Sequence, residues 1–257
     1  MYILSGSIPQ DFLGGIVYIF KDNYMLYYEG LKFTLILSIA GTFIGLILSL
    51  FITILRIQKI TARDNKTVRI LKRIGSVVSL SYVEFFRGTP MMVQAVIFYY
   101  GLASMGVRLP IIFAGILIVT LNTAAYLTEV LRAGIASIDK GQTEAARALG
   151  MTSGQTYRYV IFPQAIRNML PAIGNELVVN IKDTAVLSVI GVTELFYMGK
   201  SVAGTYYRYT ESYVLVAMIY LIIVLLTTRL LTLIMKFTNR TRKISIPTSQ
   251  TSSEGWV

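Results

Sequence analysis

Glu144-Ala145-Ala146-Arg147-Ala148-Leu149-Gly150, followed at a distance by Pro163, is the stretch least like a membrane span in a chain that is otherwise mostly apolar. Upstream of it, Asp139 and Gln142 have the spacing of a capping box, which supplies partners to the orphan donors of a helix starting near Lys140. Gly150 can adopt the left-handed conformation that closes a helix without strain. Thr152 with Gln155 repeats the capping pattern and opens a second short helix, which Pro163 punctuates. The prediction is a helix, a tight turn and a helix. Ala145, Ala146 and Ala148 leave little bulk beside Leu149, so another protein's groove can approach the backbone closely. An ordinary surface helix between two spans would use the same residues, since Ala-rich helices ending in Gly are common.

Composition sets the context. Over 257 residues, 54% are hydrophobic and the mean hydropathy is +0.63, which indicates a membrane protein. The formal charge of +11 does not mark a nucleic-acid binder, because the basic residues lie between apolar runs and are not interleaved with stacking aromatics on one face. Without cysteine there is no disulfide framework or thiolate metal site, and without histidine the commonest general base and metal ligand is missing. No Gly-x-x-x-x-Gly-Lys-Ser/Thr pattern occurs. No cofactor or metal is expected on this chain, and ATP, if it drives the protein, must bind to another.

Hydropathy and loop charge define an all-α, polytopic membrane protein with five transmembrane helices. Residues 1–30 lack the basic start and apolar core of a cleaved signal peptide. They read as an extracytoplasmic interfacial segment, with residues 12–20 in the interface and Tyr24, Tyr27 and Tyr28 as an aromatic anchor. Residues 31–55 form the first span, with Lys32 near the outer end. Arg56, Lys59, Arg63, Lys66, Arg69, Lys72 and Arg73, with Asp64 the one acid among them, mark a cytoplasmic loop. Beyond an apolar run interrupted by Arg87-Gly88-Thr89-Pro90, residues 91–105 return outward as the second span, with Pro90 at its start. Residues 111–136 are the third span. Lys140, Arg147, Arg158 and Arg167 place the following loop inside, and residues 166–195 are the fourth. A Tyr-rich outer loop carries Glu194, Lys200, Arg208 and Glu211. Residues 213–235 are the fifth span, with Arg229 near enough its inner end to snorkel. Lys236, Arg240, Arg242 and Lys243 keep the C-terminus in the cytoplasm, and residues 238–257 read as a disordered tail.

Two spans carry polar stripes. In the third, Asn122, Tyr126 and Glu129 fall at i, i+4 and i+7 on one helix face, with Arg132 toward the inner end. In the fourth, Glu176, Asn180 and Asp183 repeat that spacing, and Thr184 extends the stripe; Lys182 lies about 100° away around the helix. A carboxylate in a span costs on the order of 3 kcal/mol unless it faces a partner or water, so both faces should point into the protein. Asn122, Tyr126, Glu176, Asn180, Asp183 and Thr184 are the candidates for a substrate pathway. Glu129, Arg132 and Lys182 are read as structural ion-pair residues. The fourth-span stripe has a second reading, a buried network that holds helices together without touching substrate.

The spacing Glu144-Ala145-Ala146, three residues, Gly150, nine residues, then Val160, Ile161, Phe162 and Pro163 resembles the cytoplasmic loop of ABC importer permeases, where Ile and Leu are preferred at the positions of Val160 and Phe162. Arg87-Gly88-Thr89-Pro90, the run from Asn122 to Tyr126 with Glu129, Arg132, Gly134 and Ile135, the run Pro163 to Arg167, and Lys182-Asp183-Thr184 resemble segments of the polar amino acid branch of that family. The resemblance covers roughly residues 31–237. It implies a type I ABC importer permease-like bundle whose residues 137–163 form a coupling loop, with Glu144, Ala145, Ala146, Leu149 and Gly150 docking on the ATPase. It further implies two ABC ATPase subunits carrying ATP and Mg, and an extracytoplasmic amino-acid-binding protein. Because five helices are too few to enclose a gated path, a second permease is expected across a two-fold axis, as a homodimer or heterodimer. Lipid is the other partner, and nucleic acid is not. The expected location is the cell membrane, with the N-terminus outside. A nucleotide-independent ion channel or secondary transporter fits the intramembrane charges equally well, and a membrane enzyme would have to rely on Ser, Asp, Glu or Lys alone.

Overall fold

A computed structural model describes residues 9–239 except Lys59 and Arg63. Expectations for residues 1–8, for Lys59 and Arg63, and for Arg240, Arg242, Lys243 and the rest of the tail lie outside the described residues. Among the described residues the chain is helical and contains no strand.

The first helix, α1, runs Phe12–Ile57, begun by Asp11, whose carboxylate accepts from the Gly14 amide. The separate interfacial segment expected before residue 31 is therefore part of one 46-residue helix, bent at Asn23, the only residue in it with non-helical angles. The bend stays inside the protein because the Asn23 amide donates to Ile19 O and Tyr206 Oη, both at 3.0 Å, and Tyr27 is buried against the last two helices. The inward face of α1 is built from small and hydroxyl residues, Gly30, Thr34, Ser38, Gly41, Gly45 and Ser49 among them. Such residues let helices approach closely in lipid. A Cβ at Gly45 would lie 3.0 Å from Thr123, and one at Gly41 would collide with Val119.

Those contacts seat α4, Ile111–Ala136, along α1. Its bounds coincide with the expected third span. Before it come α2, Lys66–Gly88, and α3, Met91–Ser104. The basic segment read as loop forms the first turns of α2, capped by Asn65. At 14 residues, α3 is about 21 Å long, short of the ~30 Å hydrocarbon core. The break between α2 and α3 comes from Pro90, which has no N–H for the Phe86 carbonyl; fully buried Gln94 donates to that carbonyl at 2.9 Å and to Thr89.

The coupling stretch comprises α5, Lys140–Ala148, and α6, Ser153–Thr156. A π-turn at Tyr157–Ile161 then leads without interruption into α7, Phe162–Asp183. Pro163 thus opens a long helix where the sequence suggested it would end a short one: the wider turn, in which the Phe162 amide reaches Tyr157 O, makes room for a ring that would clash in an α-helix. The expected fourth span stops at Asp183. A 3-10 turn, Thr184–Ile190, ends at Gly191 with φ +89°, and α8, Leu195–Tyr206, starts a new direction, bent by 56° from the preceding segment. The Tyr-rich outer loop is therefore mostly helix. Its N-cap, Glu194, is fully buried, accepting from the Phe196 and Tyr197 amides and from Tyr220 Oη.

The last helix, α9, spans Tyr209–Asn239. By length and apolarity α1, α4 and α9 can each cross a membrane, and the bent pair around Gly191 makes a fourth crossing if counted as one, against the five expected spans. Three apolar clusters bind the bundle: Leu37, Ile118, Val119 and Leu187 at one level, Ile19, Tyr27, Leu195 and Val216 at a second, and Leu131, Ala165 and Met169 beside α5.

Candidate functional site

The helix–turn–helix of α5 and α6 projects from the bundle beside the C-terminal ends of α1 and α4. Asp139 caps α5, its Oδ1 accepting from the Gly141 amide at 2.7 Å. The capping box with Gln142 does not close; Gln142 Oε1 instead accepts from Gln164 Nε2 at 3.3 Å, tying α5 to the first turn of α7. The box at Thr152 and Gln155 is complete. Gly150 has φ +80°, and the Met151 amide reaches back to Ala146 O at 3.1 Å, the closing bond of a left-handed helix end. Ala146 is buried where α5 packs on α6 and the π-turn, while Glu144, Ala145, Ala148 and Gly150 are exposed and Leu149 is 83% exposed. One side of α5 is thus seated on its own protein and the other offers small residues and one bare leucine to a partner.

On α4, Asn122 donates to Gln94 Oε1 at 3.0 Å and belongs to the bridge across the α2–α3 break. Tyr126 is exposed on one side, with the Arg87 guanidinium 5.5 Å from its ring centre. Glu129 pairs with Arg132 at 2.9 Å and with Arg56 at 2.6 Å. Arg56 is the partner that sequence reading missed, because helix spacing shows neighbours on one helix only. The basic segment has its own pair, Lys72 with Asp64 at 2.9 Å; the Thr61 amide and then Lys72 hold the Asp64 carboxyl below its usual range.

On α7 the polar stripe divides. Asn180 is buried and donates to Thr42 Oγ1 and Thr123 Oγ1, both at 2.8 Å, joining three helices. Thr184 is fully buried and bonds to Ile181 O. Glu176 is half-buried and Asp183 exposed, and neither makes an ion pair among the described residues. Lys182 is exposed and makes none there either, so the direct pairing expected of it does not form. No group of residues able to hold a metal ion occurs among the described residues.

A bundle of apolar helices long enough to cross a membrane, with carboxylates along one broken helix, has the architecture of a membrane transport subunit. Residues 60–243 match the family described as binding-protein-dependent transport system inner membrane component, and the chain belongs to that family. It is 36% identical over 201 residues to the arginine transport system permease protein ArtQ of Bacillus subtilis, covering 78% of this chain and 86% of the relative. To the glutamine transport system permease protein GlnP of Escherichia coli it is 37% identical over 199 residues, covering 77% and 85%. A solved chain described as an amino acid ABC transporter with histidines superposes with a TM-score of 0.77 at 38% identity, over 89% of this chain and 99% of that one. The methionine ABC transporter MetNI, at 22% identity and a TM-score of 0.68, shares the fold. The chain is a multi-pass membrane permease of the ABC importer type, a transport subunit and not an enzyme.

Proposed function

We propose that this permease imports polar amino acids, driven by ATP hydrolysed on two partner subunits that dock on Glu144, Ala145, Ala146, Leu149 and Gly150. The observation that carries the coupling part is the two-sided α5: Ala146 buried against α6 and the π-turn, Leu149 and the remaining alanines open. The amino acid class is supported by the relatives' names and by the neighbour solved with histidines. Within this reading ATP and Mg belong to the partners, substrate arrives from an extracytoplasmic binding protein, and a second permease, identical or similar, completes the path. The basic segment at the start of α2 and the α5 loop face the cytoplasm.

Of the pathway candidates, Tyr126, Glu176 and Asp183 remain open to a passing solute, whereas Asn122, Asn180 and Thr184 are engaged inside the bundle. Carboxylates that make no direct ion pair among the described residues suit the ammonium group that every amino acid carries. Uptake into vesicles, with the cognate ATPase and binding protein and competition by a panel of amino acids, tests the proposal. Uptake that needs ATP and is competed by polar amino acids is expected. Uptake driven by an ion gradient with no ATP would establish a channel or secondary transporter instead.

A further inference from the structure

The end of the bundle that carries α5 also holds a pocket of about 640 Å³ that the transport reading leaves unused. It lies between the last turns of α1 and α4 and the α5–α6 hairpin. Four cations line it: Arg56, Arg132, Lys140 and Arg147. Glu129 is the one carboxylate among the described residues that pairs with any of them, shared between Arg56 and Arg132. Arg147 has a long bond to Ser153 Oγ at 3.4 Å, and Lys140 makes no ion pair among the described residues. The remaining wall is mixed, with aliphatic Ile57, Ile135 and Ile161 beside the hydroxyl residues Thr143, Ser153 and Thr156.

Two properties coincide here. The pocket is rimmed by the ends of two helices apolar enough to cross a bilayer, which puts it at headgroup depth. It also combines excess positive charge with aliphatic wall, and so matches an amphiphile with an anionic head better than a small hydrophilic anion. We infer that this pocket binds the phosphate headgroup of an anionic phospholipid, with the upper acyl chain against Ile57 and Ile135; its assignment to the cytoplasmic leaflet rests on the proposed topology. A lipid held there touches both the α1–α4 pair and the hairpin that docks the ATPase.

The test is native mass spectrometry of the assembled importer, supplied with either phosphatidylglycerol or phosphatidylcholine, for the wild type and for Lys140→Gln with Arg147→Gln. Both side chains are exposed, so folding should tolerate their change; Arg147→Gln alone serves if the pair does not assemble. The wild type should retain phosphatidylglycerol preferentially. Removing each cation should weaken that retention about five-fold, roughly 25-fold for the pair, with phosphatidylcholine unaffected. Equal retention of the two lipids by the wild type, or unchanged retention in both variants, overturns the inference. Displacement of the lipid by millimolar inorganic phosphate overturns it in favour of a free-anion site. Binding to the isolated permease that vanishes on ATPase assembly does so in favour of a protein contact. Because lipid retention is read without transport, failed amino acid uptake with intact retention removes the transport reading and leaves this one standing.

Discussion

Gly150 offers the sharpest separation of turn geometry from side-chain contact. Its φ of +80° is one that side chains with a Cβ adopt at a cost, yet a Cβ built there meets no atom within 4 Å. The penalty of substitution is therefore in the backbone and not in the packing. Ala in that conformation costs about 1 kcal/mol, and β-branched Val nearer ~2 kcal/mol, while Asn is tolerated almost as well as Gly. Those energies correspond to roughly five-fold and thirty-fold depletion of the closed turn, in which Gly150 N meets Arg147 O at 2.9 Å and Met151 N meets Ala146 O. Because the turn is exposed, global stability should hold while the hairpin loses its fixed shape. The assay is the amount of amino acid taken up per ATP hydrolysed, in proteoliposomes holding the permease, its ATPase and the binding protein. The expected order is Gly, then Asn, then Ala, then Val. A Val variant coupled as tightly as the wild type would refute the reasoning. So would an Asn variant as defective as Val, which would place the effect in bulk at the docking surface.

The other predictions concern the supports of that hairpin and of α7. Glu129→Gln strands Arg56, whose side chain is 18% exposed, and should cost roughly 2–4 kcal/mol of stability, seen as a lower melting temperature in detergent and partly restored by adding Arg56→Gln; an unchanged melt would show the pair to be dispensable. Asn180→Leu removes two intramembrane hydrogen bonds worth about 0.6–1.7 kcal/mol each, so it should lower stability by about 1–3 kcal/mol while the KM for uptake stays constant, whereas Glu176→Gln and Asp183→Asn should raise KM with little effect on the melt; the reverse pattern would return Asn180 to the pathway. Ala146→Leu, at a site 3% exposed, should loosen α5 from the bundle by about 1–3 kcal/mol, while Ala145→Trp should leave stability intact and reduce co-purification of the ATPase. Equal effects of the two on co-purification would show that α5 has no distinct docking side.

The sequence carried local features well and distant ones poorly. The span at 111–136 was legible because a largely apolar run, with Asn122, Tyr126 and Glu129 on one face, lies between Pro110 and Ser137 at the length of a crossing. The helix ended by Gly150 was legible from Asp139 and the glycine alone. Residues 12–30 were not: three glycines, Asn23 and several charges read as interfacial, and the helix persists there because α8 and α9 cover it, as the Asn23–Tyr206 bond across 183 residues and the packing of Tyr27 show. α8 was missed despite a usable signal, since Leu195, Gly199, Val202 and Ala203 follow the i, i+4, i+7, i+8 spacing of a packed helix face. The division of the α7 stripe could not be read from spacing. Which residues bond internally and which stay open depends on Thr42 and Thr123, which lie 138 and 57 residues away.

If the ATPase docks on α5 as proposed, these contacts assign different parts to different helices. α1 and α4 are locked together by the close approaches at Gly41 and Gly45 and by the Arg56–Glu129 pair, and so behave as a frame. α7 is joined to the hairpin through Gln164 and Gln142, and to the end of α4 through Asn168 and Ser137 at 3.0 Å. It packs on the frame at Met169, against Leu131 and Gly134 of α4, and is held again at Asn180. Between those attachments lies Pro171, and before them the π-turn, both places where the helical ladder is interrupted and bending is least costly. A force on α5 enters α7 at Gln164, and the stretch between Met169 and Asn180 is the part of α7 that lies between its two holds on the frame. Glu176 lies within that segment, about 12 Å along the axis from Asn168. Docking can favour one position of Glu176 only if the ATPase binds two conformations of α7 with unequal affinity. That places the energetic requirement of coupling on the Leu149 side of α5, the side with no role inside the bundle.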